Sequence, residues 1–577
     1  MSPVALRLAR CLCASSLLIL AACGGGAGAP PEPEAPAVAA PDDAAAPPVA
    51  PTPPDAQAVT LAAPAGLGFT AGIKRYSFSW DALPGASFYQ LLLDPDGDGP
   101  LPADPVDGDI AAPGGDARVT KEYTPPPELY GLPDARFSVR ACDGSGCSSA
   151  SAAVAPRVID TMGFLKADAP VTNEHFGSAV ALSQDGDTLV VGVNASTPNG
   201  APLRSGEVRV YARADGQWVL NGTLNSPASA INGRFGSSVA VSADGSTVVV
   251  GAQGESSETG AVYVFRRWFA SYRLEQSFRP GQGMSTLPAE AGFGWRVAVS
   301  ADGRTVVAGT SAGVGAFASR LEDSGWAPMS ALATTSTSLA FGRAVAIAPD
   351  GQTLAVSDPA DSATNGAIHV FTRQGPDWVM PVQIASPATN DPSAPFTDFG
   401  AALAFSADGK VLAAGAPGGG SVHVFDRDAM GWQLTASVQG TNTRSNHRFG
   451  LAVALSADGQ TLVAGAPLED SAARMGDAVL NGADTSSPGS GALYVFKRAS
   501  SGWAQAAYLK TGRTVAATRL GGTEWSLGSY WTSVAISGDG KTLAAGDTAE
   551  PSDLGGARRF PVEGNSSASE SGAVYLY

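Results

Sequence analysis

The sequence predicts an all-β protein: a ring of seven small sheets, a seven-bladed β-propeller, preceded by a small β-sandwich. Three observations carry this. One block of text recurs seven times between residues 176 and 577: an aromatic-Gly start, an alternating apolar run, Asp-Gly, and a second apolar run that usually ends in Gly. A repeat of that size built of strand and turn implies small sheets closed in a ring. Charged residues make up only 15% while there are 70 glycines, which suits many short strands and tight turns. At 577 residues the chain is too long for one core, so more than one domain is expected.

Residues 1–22 read as a targeting segment: Arg7 and Arg10 give a positive start, and Cys11 to Leu20 is an apolar run too short to span a bilayer. Leu20-Ala21-Ala22-Cys23-Gly24 resembles the lipobox of bacterial lipoproteins. The resemblance implies cleavage before Cys23, acylation of that residue, and a lipid anchor in the cell outer membrane, since Gly24 stands where a retention signal would place Asp. Residues 23–57, nearly all Ala, Pro, Gly and acidic residues, read as an extended linker. Cys11 and Cys13 would leave with the leader. Cys142 and Cys147 then remain, in Ala-Cys-Asp-Gly-Ser-Gly-Cys-Ser, where an oxidising envelope favours a small disulfide loop and a metal would need further ligands.

Residues 58–157 alternate apolar and polar around turns, as in Phe78-Ser-Trp80 and Phe137-Ser-Val139. This resembles a fibronectin type III domain, with Trp80 as its core tryptophan, Tyr89 as the second-sheet tyrosine, and Phe137 where a corner tyrosine usually stands. Asp94, Asp96 and Asp98 alternate before Gly99, as a polar loop or as the start of a calcium loop; Pro105 occupies the twelfth position, where a bidentate Glu would stand.

Residues 158–577 hold the ring. Repeats start at Phe176-Gly177, Phe235-Gly236, Phe293-Gly294, Phe341-Gly342, Phe399-Gly400, Phe449-Gly450 and the degenerate Tyr530-Trp531. Asp-Gly follows each alternating run, from Asp185-Gly186 to Asp539-Gly540, and marks a hairpin. The second strand, such as Thr247-Val-Val-Val-Gly-Ala, is apolar throughout and so buried on both faces. A third begins like Gly260-Ala-Val-Tyr, and a fourth starts at Trp218, Trp326, Trp378, Trp432 or Trp503. The last repeat ends in Gly572-Ala-Val-Tyr-Leu-Tyr577, and Phe164-Leu165-Lys166-Ala167 matches the fourth-strand text Tyr508-Leu509-Lys510-Thr511. The segment before the first repeat is therefore expected to complete the last sheet.

Phe-Gly at the start and Gly-Ala-Pro at 415–417 and 465–467 resemble the FG-GAP repeats of integrin α-subunits and of bacterial FG-GAP repeat lipoproteins. That resemblance implies extracellular recognition or adhesion. It does not bring calcium into the blades: in the sixth repeat Ala454, Ser456 and Leu462 leave Asp458 as the one carboxylate of the usual set. His175, His369, His423 and His447 share no ligand spacing, and no nucleophile elbow or phosphate loop appears. Two long inserts, 468–490 and 547–571, join second and third strands and so project from one face, as recognition loops or as disordered decoration, with Asp470 and Asp547 as candidate contacts for a ligand or a cation.

The expectation is a non-catalytic, lipid-anchored, monomeric envelope protein that binds a protein or glycan. A periplasm-facing assembly scaffold and a propeller hydrolase or lyase are the alternatives. A net charge of -17 argues against nucleic acid. No cofactor is assigned, with calcium the one candidate.

Overall fold

The computed structural model describes residues 61–577, short internal stretches excepted, among them 199–202, 361–365, 388–396, 476–483 and 560–565. The leader, Cys23 and the linker lie outside the described residues.

Residues 68–147 form two facing sheets. Gly68–Gly72, Arg75–Asp81 and Arg118–Tyr123 make a three-stranded sheet; Asp109–Ala111, Phe88–Asp94, Arg136–Asp143 and Gly146–Cys147 make a four-stranded one. Alternation decides the faces: Arg75–Asp81 buries Tyr76, Phe78 and Trp80 and turns the residues between them outward. Trp80 meets Tyr89 edge to face at 5.6 Å, and Phe137 fills the space beside Phe78, Tyr76 and Tyr123. The Tyr89 hydroxyl accepts a hydrogen bond from the Leu83 amide at 2.6 Å.

Residues 163–577 form seven antiparallel sheets in sequence. Sheet 1 runs through Phe176–Leu182, Thr188–Val193, Glu207–Ala214 and Gln217–Asn225. Sheets 2 to 6 repeat this order over 235–278, 293–331, 345–385, 403–438 and 452–509. Second strands are buried at every position, as in Thr188–Val193 and Thr247–Ala252, because sheets pack on both of their faces. First strands of successive sheets touch around a common axis, and that of the last touches that of the first, so the ring closes. This is the arrangement of a β-propeller.

The closing sheet is composite. Val534–Ile536, Leu543–Asp547 and Ala573–Leu576 pair in order, and Gly163–Lys166 adds to the last of them. The insert at 547–571 then folds part of itself back: Gly556–Arg559 pairs with the far side of Gly163–Lys166. So this insert supplies an outer strand as well as a loop.

The repeat text has a packing cause. Each Gly of Phe-Gly has positive φ, between 83° and 98° in the six Phe-Gly copies. Its carbonyl points at the glycine of the preceding sheet's second strand, except that Ser357 stands in that place in sheet 4: a Cβ on Gly251 would lie 2.0 Å from Gly294 O, and one on Gly415 would lie 1.9 Å from Gly450 O. The sheets can approach this closely only with no side chain there. The phenylalanine then bridges in parallel to the glycine before the neighbouring third strand, as Phe235 does to Gly206, and Phe176 to Gly572 across the ring closure. In sheet 7 the same bridge is made by Leu520 to Gly491, and the Gly521 amide donates to Gly546 O. The Phe-Gly position of the last repeat is therefore Leu520-Gly521, not Tyr530-Trp531. A hairpin of Gly522–Ser526 and Ser529–Thr532 is inserted between it and the first strand.

The Asp-Gly turns share one design. The Asp185 carboxylate accepts from the Ser183 hydroxyl and the Asp187 amide, while the Ser183 hydroxyl oxygen accepts from the Thr188 amide. Ser242, Ser300, Ser406, Ser456 and Ser537 repeat this with their own aspartates. One oxygen of each of these carboxylates, Oδ1, is engaged inside its turn.

Sandwich and ring share a core. One cluster of buried side chains runs from Tyr76 and Trp80 to Leu509, Tyr575 and Tyr577. Tyr130 meets Tyr577 at 5.8 Å, Glu128 pairs with Lys497 at 3.1 Å, and Asp107 pairs with Lys541 at 2.7 Å.

Candidate functional site: the insert face and the channel mouth

Chain direction sorts the loops. First strands run away from the Phe-Gly end, so the loops joining second to third strands lie at that end, and the Asp-Gly turns lie at the other. Both long inserts therefore start on the Phe-Gly face.

Their bases are fixed by buried ion pairs. In sheet 6, the Lys510 ammonium donates to Glu469 at 2.7 Å, to Ser490 Oγ at 2.8 Å and to Gly491 O at 2.7 Å. Both charged side chains are 0% exposed. The other Glu469 oxygen accepts from the Tyr508 hydroxyl at 2.9 Å and from Asn442 at 3.2 Å. In sheet 7, Lys166 donates to the Glu550 carboxylate and, at 3.1 Å, to its carbonyl; the same carboxylate accepts from Ser552. Burial lowers the pKa of both lysines, and the paired glutamates oppose that shift. Sheet 2 has a looser version, with Arg279 3.7 Å from Glu255. The long side chain comes each time from the end of the fourth strand or the residue after it, and the glutamate from the loop after the second. A charge buried this deeply demands its partner, which holds the loop base in one position.

Asp470 lies beside the first pin. Its carboxylate accepts from the Gly489 amide at 3.0 Å and lies 3.6 Å from His447 Nε2, leaving the side chain 21% exposed. Asp547 is 1% exposed at the end of its strand, and burial, with Glu550 adding to it, raises its pKa well above the ordinary carboxylate value. It sits beneath the insert rather than on its surface. The other sequence candidates lie in the sandwich. Asp94 accepts from the Gly97 amide and Asp96 from the Asp98 amide. Among the described residues no three His, Cys, Asp or Glu side chains are placed to hold one metal ion. Cys142 and Cys147 face each other across paired strands with their sulfurs joined.

The sequence reading missed the mouth of the axial channel. A cavity of about 170 Å³ is lined there by small residues of the first strands, among them Ser237, Ser238, Ala344 and Ala402, with Thr532 from the inserted hairpin. Arg296 enters it, 9% exposed, and its guanidinium donates to Trp295 O at 3.0 Å. Burial lowers its pKa to about 9, and Arg343 on the next sheet adds to the effect. The signal was present in the text: Trp295-Arg296 and Arg343 follow Phe-Gly where other repeats carry Ser, Ala or Leu. The far end of the channel is a cavity of about 140 Å³ lined by Leu182, Val241, Val299, Phe405 and Ile536.

No curated protein matches the chain. Among solved structures, a Swd1 β-propeller domain from Myceliophteria thermophila is 11% identical, covering 72% of this chain and 99% of its own, with a TM-score of 0.44. A putative 6-phosphogluconolactonase from Bacteroides fragilis is 16% identical, covering 63% and 88%, with a TM-score of 0.41. The periplasmic gluconolactonase of Pseudomonas aeruginosa is 15% identical, covering 74% and 98%, with a TM-score of 0.39. Residues 218–265, from the fourth strand of sheet 1 to the third strand of sheet 2, match the FG-GAP repeat family.

Proposed function

We propose that the protein is a non-catalytic, lipid-anchored binding protein of the bacterial outer membrane that holds a protein or glycan ligand on its insert face. The observation that carries this reading is the pair of inserts on one face, each with its base fixed by a buried Lys–Glu pair. Loops held on a rigid scaffold present a surface at low entropic cost. The lipid anchor rests on the leader and Cys23, the seven-bladed count on the seven sheets and their closure, and the fibronectin type III-like assignment on the three-plus-four strand order with Trp80 at its core.

Two experiments test the reading. Intact cells are treated with a protease that cannot cross the outer membrane; digestion of the ring is expected, and protection would move the search to periplasmic partners. Replacing the exposed parts of both inserts by short Gly-Ser loops is then expected to abolish capture of the ligand identified on cells. Unchanged capture would sink the insert-face reading. A lactonase reading gains ground only if purified protein opens a sugar lactone and Arg296→Met stops it.

A further inference from the structure

In six sheets the third and fourth strands are joined by a two-residue turn, and the one in sheet 2 differs from the other five in what it exposes. The last paired positions there are Ala214–Gln217, Glu322–Gly325, Gln374–Asp377, Asp428–Gly431 and Ala499–Gly502; in sheet 2 they are Trp268–Ser271. The next residue is Asp215, Asp323, Gly375, Ala429 or Ser500 in the other sheets and Phe269 here. Phe269 is 89% exposed and Trp268 56%, stacked edge to face at 5.7 Å. Phe269 also has φ of 55°, a backbone region that disfavours a bulky side chain. Water gains nothing from a strained, exposed ring pair, so the tip has the features of a contact surface.

Its charge names the occupant. Arg267 and Arg273 are exposed beside the rings, and the Arg273 guanidinium lies 5.7 Å over the Trp268 ring. Arg266 is already neutralised by Glu275 at 3.0 Å. The tip thus carries two exposed cations, Arg267 and Arg273, on a chain of net charge -17. Leu274 at 44%, with Val219 and Leu220 at 52% and 39% on the touching outer strand of sheet 1, widens the apolar area. The tip lies on the face of the Asp-Gly turns, since Arg267 donates to Asp244 O and Tyr272 to Gly245 O. The sandwich packs on that face too, with Arg75 against Gly216 at the corresponding turn of sheet 1.

We propose that this hairpin tip is a lipid-surface contact: Trp268 and Phe269 enter the interfacial layer of an anionic bilayer, and Arg267 and Arg273 meet its phosphates. Aromatic rings settle at the level of the headgroups, and basic residues beside them add attraction to anionic lipid. A convex tip needs no groove to receive it, which favours a bilayer over a protein partner. The inserts are on the opposite face and would point away from the membrane. The proposal does not depend on acylation of Cys23.

The test uses the full chain with Cys23→Ser, so that no acyl chain contributes, and vesicles of phosphatidylcholine with or without phosphatidylglycerol. Co-sedimentation is expected with phosphatidylglycerol present and at low salt. W268A/F269A is expected to lose about tenfold or more in partitioning, as deletion of buried apolar groups should. R267Q/R273Q is expected to lose the preference for phosphatidylglycerol. M430A, which trims the 84%-exposed tip residue of sheet 5, is expected to bind as the parent does. All the side chains are exposed, so unchanged thermal midpoints verify folding. Quenching of tryptophan fluorescence by brominated lipid, absent in W268A, would place the ring in the bilayer. A parent protein that ignores anionic vesicles, or a W268A/F269A variant that partitions as well as the parent, overturns the proposal.

Discussion

Single residues set the pH limits of the fold. His423 sits between the Ser421 and Ser437 hydroxyls at 3.2 and 2.8 Å, and burial holds its pKa down to about 4. An unfolded histidine titrates near 6.5. The unfolded chain therefore binds the proton first, and stability falls as pH drops from 6.5 towards 4, by up to about 3 kcal/mol. His423→Gln is expected to flatten that part of a denaturant-midpoint curve against pH. Asp547 works with the opposite sign. Its folded value is raised, so the folded state keeps a proton that the unfolded state releases above about 4, and stability falls as pH rises. Asp547→Asn removes that penalty. Its thermal midpoint should exceed the parent's at pH 7 and converge with it near pH 4. Glycine contacts are as local: Gly251→Ala puts a methyl 2.0 Å from Gly294 O and should cost about 2 kcal/mol or more, read as a lower urea midpoint, whereas Gly222→Ala, which meets nothing within 4 Å, should cost about 1 kcal/mol or less.

Among elements, the most consequential are the loops pinned by lysine. Lys510→Met leaves Glu469 buried without its partner and should destabilise by about 3–5 kcal/mol, while Lys510→Met with Glu469→Met should recover most of it. A double-mutant cycle on thermal midpoints measures the difference, and equal losses in single and double variants would show that packing, not charge, sets the cost. These pins were not legible in the sequence: Glu469 and Lys510 are 41 residues apart, and only the pairing of three strands brings them together. Second strands and Asp-Gly turns were legible, because burial on both faces and a serine-aspartate turn each leave a local mark. The last repeat's start was not, since Phe is Leu520 there and an inserted hairpin moves the strand away. Sheets 3 and 4 split their fourth strands, into Gly325–Trp326 with Ser330–Ala331 and Asp377–Trp378 with Val382–Ala385, which a single Trp signal conceals. At the candidate site the inserts were visible as length, but Asp547 looked like a loop residue because burial is a property of the fold, not of its neighbours in sequence.

For the whole molecule, closure is the controlling fact. Gly163–Lys166, buried throughout, is paired on one side with Ala573–Leu576 and on the other with Gly556–Arg559. A chain starting at residue 170 loses this strand, bares two edges, and strands Glu550 without Lys166. It is expected to lose a single cooperative transition in calorimetry and to aggregate, while the parent melts as one unit because sandwich and ring share a core.

The closing strand also follows directly on the sandwich, through Val158–Thr161. Should the N-terminal end be fixed to a surface and a ligand pulled from the opposite face, tension would enter the ring at this strand. It is clasped between two antiparallel neighbours, so both ladders of hydrogen bonds would resist sliding together. The seam where the circle is joined, ordinarily the place to expect rupture, is built here as a mechanical clamp.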